Sequence, residues 1–169
     1  MSEATPLGDH PTGIKLLIMD CDGVLTDGRL YYSSRGEVMK VFHVRDGQGI
    51  ASWHKAGFRS GIITGRDAED ILRQRANDLG IDFLCVRSTD KVRDLESILT
   101  SAGVSAEETA YVGDDLADVP VMKRVGFPVA VADAVPEVIA AAAYVTKANG
   151  GYGAVREVVD LLLATKSQT

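Results

Sequence analysis

The sequence predicts an α/β fold: a doubly wound, Rossmann-like parallel sheet with a small β-hairpin inserted after the first strand. Three observations predict it. Short apolar runs alternate with longer amphipathic runs along almost the whole chain, and that alternation builds a parallel sheet covered by helices on both faces. Acids, a threonine and a lysine stand directly after the apolar runs, at the sheet edge where such folds bind ligands. The segment 28–42, "GRLYYSSRGEVMKVF", breaks the rhythm with two short β-prone runs around Ser33-Ser34-Arg35-Gly36, the pattern of a hairpin.

Taken in order, the first strand is expected at 15–19, where "LLIM" leads into Asp20-Cys21-Asp22. After the hairpin, a helix is expected at 49–56 and a strand at 59–64, "RSGIIT". The helix at 68–79 places Ile71, Arg75 and Leu79 at helical spacing, and Gly80 follows as its C-cap. Strands at 83–86, 110–112, 129–131 and 143–146 then alternate with helices at 91–102, 119–125, 135–142 and 154–163. Trp53 and His54 read as packing residues of the first helix, and "GGYG" at 150–153 as the turn into the last one, since it lacks the Walker spacing.

With 169 residues and no internal repeat, the chain reads as one domain over 14–165, after a polar, mobile leader (1–13) and before a short tail (166–169). The leader lacks the basic and apolar regions of a signal peptide. A net charge of -6 with no basic run argues against nucleic acid, and no apolar run approaches the ~20 residues that cross a bilayer. Two cysteines, Cys21 and Cys85, do not make a disulfide framework, and neither is followed by five residues and an arginine as cysteine phosphatases require. A soluble, cytoplasmic protein is expected.

The chemistry lies at the strand ends. The first strand delivers Asp20 and Asp22, whose alternation lets both face one site while Cys21 points away. The second delivers Thr64, Gly65 and Arg66; the third is followed by "RSTDK", ending in Lys91; the fourth delivers Asp114, Asp115 and, a turn later, Asp118. Each alone has an ordinary reading: acid pairs cap helices, Thr64 suits an N-cap, and Lys91 suits the surface. The ordered set does not. Carboxylates converging from two strands repel unless a cation separates them, and a hard ion with oxygen ligands points to Mg²⁺. Lys91, Thr64 and the amides near Gly65 then complete a receptor for a phosphoryl group.

DxDGVxT at 20–26, Thr64 at a strand end, Lys91 before a helix and GDDxxD at 113–118 together resemble the haloacid dehalogenase-like phosphohydrolases. The hairpin, "FHVRDGQGI", "ITGR", "VAVADA" and "GGYGAVREV" narrow the resemblance to the capless 3-deoxy-D-manno-octulosonate 8-phosphate phosphatases of lipopolysaccharide synthesis. The resemblance implies Asp20 as nucleophile and Asp22 as general acid and base. It implies Mg²⁺ held by Asp20, Asp114 and the carbonyl of Asp22, with Thr64 and Lys91 on the phosphoryl group and Asp115 and Asp118 in support. His43, Val44, Arg45, Asp46 and Gly47 would lie beside the sugar acid, with Arg66 and Arg75 for its carboxylate or hydroxyls. Arg66 favours the eight-carbon substrate, whereas Ala51 stands where many such enzymes carry arginine, so a nine-carbon keto-sugar 9-phosphate stays open. The resemblance also implies a homotetramer joined through the 28–42 hairpin, with Tyr31, Tyr32, Val38 and Val41 in apolar contact. Two other classes compete. A phospho-accepting receiver domain places its acceptor aspartate after the third strand, where this chain has none. A non-catalytic relative, such as those attached to sialic-acid cytidylyltransferases, is disfavoured by the complete set of polar residues.

Overall fold

The computed structural model describes residues 11–166. Most of the leader (1–10) and the end of the tail (167–169) lie outside the described residues. Six strands form one parallel sheet: β1 (Leu16–Met19), β4 (Arg59–Ile63), β5 (Phe83–Cys85), β6 (Thr109–Gly113), β7 (Phe127–Ala130) and β8 (Tyr144–Val145), in the order β5-β4-β1-β6-β7-β8. β1 pairs with β4 on one side and β6 on the other, so that Met19 stands opposite both Ile62 and Val112. All four residues of β1 are buried, as a central strand covered on both faces requires. The chain winds outward from β1 to β5, then crosses back to β6. The crevice between β1 and β6 is therefore the topological switch point.

The helices fall into two packed groups, one for each face. α1 (Val44–Lys55) packs against α2 (Glu69–Leu79) and α6 (Ala154–Lys166); α4 (Val119–Met122) packs against α3 (Lys91–Ala102) and α5 (Pro136–Ala141). The hairpin is separate: β2 (Tyr31–Ser33) and β3 (Gly36–Met39) pair antiparallel, with Ser33 opposite Gly36 and Ser34-Arg35 between them. Trp53 is fully buried, stacks on Phe58 with ring centroids 4.5 Å apart and donates Nε1–H to the Arg59 carbonyl at 2.8 Å.

The elements differ from the sequence reading in three places. α1 begins at Val44, not 49, because the His43 side chain accepts the Arg45 N–H and caps it. Gly49 within α1 allows close contact: a Cβ there would come within 3.0 Å of Arg156 Cα in α6. In α2 the fully buried position is Leu72, not Ile71, with Ala76 one turn on. Gly80 ends this helix as expected, at φ 67°. The helix at 119–125 shrinks to one turn, preceded by a 3-10 turn at Leu116–Asp118.

Candidate active site

Asp20 leaves β1 into a tight loop in which the Cys21 carbonyl accepts the N–H groups of Val24, Leu25 and Thr26. The Cys21 N–H donates to Asp20 Oδ1 at 2.7 Å. Cys21 itself is buried in the core, where desolvation pushes its thiol well up, so it supplies no thiolate. A second turn braces this loop. A Cβ on Gly150 would lie 1.7 Å from the Gly23 carbonyl oxygen, and the Gly151 N–H donates to the Val24 carbonyl at 2.9 Å. The "GGYG" segment thus both leads into α6 and supports the acid-bearing loop.

Lys91, at the start of α3, is buried and reaches two carboxylates, Asp118 Oδ1 at 2.8 Å and Asp20 Oδ1 at 3.1 Å. Burial pulls its ammonium down, but Asp20 and Asp118 outweigh that and hold it above the usual lysine value. Asp118 has no exposed surface. Its Oδ1 also accepts the Tyr111 hydroxyl at 2.5 Å, and its Oδ2 accepts the N–H of Asp114 at 2.9 Å and of Asp115 at 3.2 Å. One oxygen each of Asp20, Asp114 and Asp118 lies within 4.8 Å of the others. Desolvation, then the charge of Asp118, pushes Asp20 up to about 6; desolvation and the charges of Asp20, Asp118 and Asp115 push Asp114 up to about 8.

These residues fit a hard divalent cation. Asp114 Oδ1 is buried without a hydrogen-bond partner, whereas both oxygens of Asp118 are already taken by donors. The open acceptors are therefore on Asp20 and Asp114. The loop backbone closes against them: a Cβ on Gly23 would lie 1.9 Å from Asp114 Oδ2.

One cavity of about 480 Å³ gathers Asp20, Asp22, Thr64, Gly65, Arg66, Lys91, Asp114 and Asp115, together with Ser88, Thr89 and Asp90. Thr64 is buried and its hydroxyl accepts the Arg66 N–H at 3.3 Å, so it has a turn-capping role beside any other. Asp115 caps the 3-10 turn by accepting the Leu116 N–H at 2.7 Å. His43, Val44, Arg45, Asp46, Gly47 and Arg75 do not line this cavity. Val44, Gly47 and Arg75 border a second depression between α1 and α2, with Ala51, while Arg45 is exposed. Asp46 is buried and accepts the Arg156 N–H at 2.9 Å, tying α1 to the start of α6. The sequence reading missed Lys40 and Glu37 on the hairpin and Tyr111 beneath Asp118. Strand burial of a tyrosine next to a "GDDxxD" run was an available signal for Tyr111; no local pattern marks Lys40.

Comparison with known proteins agrees with this geometry. A family model described as haloacid dehalogenase-like hydrolase matches residues 76–158. The chain is 47% identical over 155 residues to the 3-deoxy-D-manno-octulosonate 8-phosphate phosphatase KdsC of Yersinia pestis, covering 92% of this chain and 82% of that protein. Its fold superimposes on the cobalt-bound deoxy-D-mannose-octulosonate 8-phosphate phosphatase of Haemophilus influenzae with TM-score 0.91 at 42% identity, covering 94% of this chain and 92% of the other. The Moraxella catarrhalis 3-deoxy-D-manno-octulosonate 8-phosphate phosphatase, solved in complex with a magnesium ion, a phosphate ion and a KDO molecule, matches with TM-score 0.88 at 37% identity, covering 92% of this chain and 88% of the other. With the acids of two adjacent strands, Thr64 and Lys91 meeting at the switch point of this sheet, the chain belongs to the 3-deoxy-D-manno-octulosonate 8-phosphate phosphatase family of the haloacid dehalogenase-like hydrolases.

Proposed function

We propose that this protein is a Mg²⁺-dependent phosphatase that hydrolyses 3-deoxy-D-manno-octulosonate 8-phosphate in the cytoplasm, as a step of lipopolysaccharide inner-core sugar synthesis. The observation that carries it is the meeting of Asp20, Lys91 and the unpartnered Asp114 Oδ1 at one rim. Asp20 attacks phosphorus, forming an aspartyl-phosphate as the bond from phosphorus to the sugar oxygen breaks. Asp22 gives its proton to the departing alkoxide, then takes one from the water that attacks the aspartyl-phosphate, which frees phosphate and restores Asp20. Lys91, Thr64 and the amides near Gly65 hold the phosphoryl oxygens. Asp20, Asp114 and the Asp22 carbonyl would hold Mg²⁺, which supplies charge neutralisation for the phosphoryl oxygens.

Arg66 lines the cavity, and its guanidinium, turned from Glu37 and the Tyr32 hydroxyl, would take the sugar carboxylate in paired hydrogen bonds. His43–Gly47 and Arg75 lie outside the cavity of their own chain, so their part in substrate binding requires a neighbouring copy. A homotetramer joined through the hairpin supplies one. Leu30, Tyr32, Val38, Met39, Val41 and Val44 are all large, apolar and at least 45% exposed, with Tyr31 half-buried beside them. Sedimentation should show the tetramer at micromolar concentration; a monomer rejects that assembly. The catalytic reading is tested by phosphate release from eight- and nine-carbon keto-sugar phosphates, with and without EDTA. Preference for the eight-carbon ester, loss with EDTA and loss in Asp20→Asn are expected. Turnover by Asp20→Asn rejects the nucleophile, and preference for a nine-carbon ester rejects the substrate.

A further inference from the structure

The hairpin is inside out at one residue. Val38, Met39 and Val41 are 56%, 47% and 50% exposed, yet the Lys40 side chain between them is only 1% exposed. A lysine on a surface hairpin ordinarily keeps its ammonium in water, and burying that charge is unfavourable unless it is paired and hydrogen-bonded. Lys40 is paired twice. Its Nζ donates to Asp22 Oδ1 at 2.6 Å and to Glu37 Oε1 at 2.8 Å. Arg66 closes the ring from the other side: Nη2 reaches Glu37 Oε2 at 3.3 Å and the Tyr32 hydroxyl at 3.1 Å, and Nε lies 3.5 Å from Asp22 Oδ2. Two bases, Lys40 and Arg66, and one further acid, Glu37, thus surround the Asp22 carboxyl. Its Oδ1 is tied to Lys40, while Oδ2 is buried beside Arg66 with no hydrogen-bond partner, on a side chain that borders the cavity.

We propose that Lys40 is a positioning residue that fixes the Asp22 carboxyl by one oxygen, leaving the other aimed at the leaving group, with Glu37 fixing Lys40 in turn. This rests on the acid–base role given to Asp22 above. It makes the hairpin part of the reaction machinery.

The test compares Lys40→Met, Lys40→Arg, Asp22→Asn and the Lys40→Met/Asp22→Asn pair on two substrates, the sugar phosphate and p-nitrophenyl phosphate. The latter releases a phenolate that needs no proton. Both substrates share the later step in which Asp22 takes a proton from water, so the comparison is of kcat/KM, which reports the step that expels the leaving group. For the sugar phosphate, Lys40→Met should lower kcat/KM by on the order of 10- to 100-fold, within what general acid catalysis contributes. It should have a much smaller effect on p-nitrophenyl phosphate and none when Asp22 is already Asn; Lys40→Arg should restore part of the rate. Equal losses on both substrates, or losses that add to those of Asp22→Asn, overturn the proposal. If Lys40→Met fails to fold, Glu37→Gln should give a weaker form of the same substrate pattern, and equal losses there overturn it too. A crystal structure of Lys40→Met or Glu37→Gln decides the holding role without turnover: the Asp22 carboxyl should move, and an unmoved carboxyl refutes the role. Should the wild type hydrolyse no sugar phosphate, the proposed function fails while this structural comparison still judges Lys40.

Discussion

Replacing Asp118 by asparagine should destabilise the protein severely although only one oxygen changes. Asp118 accepts four hydrogen bonds, two on each oxygen, from Lys91, Tyr111, and the amides of Asp114 and Asp115. Every neighbour is a donor, so both oxygens must accept. An asparagine has one acceptor. Turned one way, its NH₂ faces the Asp114 and Asp115 amides; turned the other, it faces the Lys91 ammonium and the Tyr111 hydroxyl. Two donors lose their partner in either case, and Lys91 loses a buried counter-charge. Breaking a buried pair by removing one partner costs about 3–5 kcal/mol, and the lost hydrogen bonds are the means by which that cost arises rather than an addition to it. At about 2–4 °C per kcal/mol for a domain of this size, the melting temperature should fall by roughly 6–20 °C. Removing the charge also relieves its repulsion of Asp20 and Asp114, so unfolding is followed with Mg²⁺ present, where those carboxylates have their own counter-charge. Urea unfolding monitored by circular dichroism should show a lower midpoint with an unchanged slope. Tyr111→Phe, which leaves Lys91 on the same oxygen, should lose only about 1–2 kcal/mol. An Asp118→Asn protein within about 1 kcal/mol of wild type would refute the claim that all four donors need acceptors.

Without metal, the raised Asp20 and Asp114 bind protons that the unfolded chain, with carboxyls near 3.8, has already released; stability should fall as pH rises from about 4 to about 8. Mg²⁺ should therefore raise the melting temperature more at pH 8 than at pH 6, where it competes with the proton on Asp114. An equal gain at both refutes the coupling. Gly150→Ala places a methyl on the Gly23 carbonyl oxygen and should displace the loop that carries Asp20 and Asp22. Turnover should drop at least about tenfold, as remote misplacement of reacting groups by an ångström does, with far-UV circular dichroism retained; full activity refutes the bracing role.

Much of this architecture is legible in sequence because a doubly wound sheet puts its chemistry immediately after apolar runs. Asp20, Thr64, Lys91 and Asp114 could each be located by counting from the end of a strand, and the structure brings them to one cavity. What escaped was set by contacts distant in the chain. The start of α1 at Val44 depends on the His43 cap, and its Gly47 and Gly49 lie close against Arg75 and Arg156 from other helices. Lys40 carried no local mark, since its burial depends on Asp22, 18 positions earlier. Resemblance alone places His43 and Asp46 beside the sugar acid; the capping of α1 by the first and the tie to α6 by the second depend on backbone N–H groups that no sequence pattern marks.

The charges around the cavity divide in a way that explains why its acids are not neutralised by the protein alone. Lys91 answers Asp118, and Lys40 with Arg66 answers Asp22 with Glu37. Asp20 and Asp114 remain, with Lys91 shared to the first at 3.1 Å and, among the described residues, no basic side chain in an ion pair with the second. They are the same two carboxylates that burial and repulsion push up to about 6 and about 8. A deficit of two charges at the switch point matches one divalent ion. A third basic side chain there would settle the same charge, but it would occupy the space between the carboxylates and bind Asp20 in ion pairs that compete with the attack on phosphorus proposed for it. Leaving Asp20 and Asp114 short of protein counter-charge suits an exchangeable ion, and keeps Asp20 open for the nucleophilic role proposed for it.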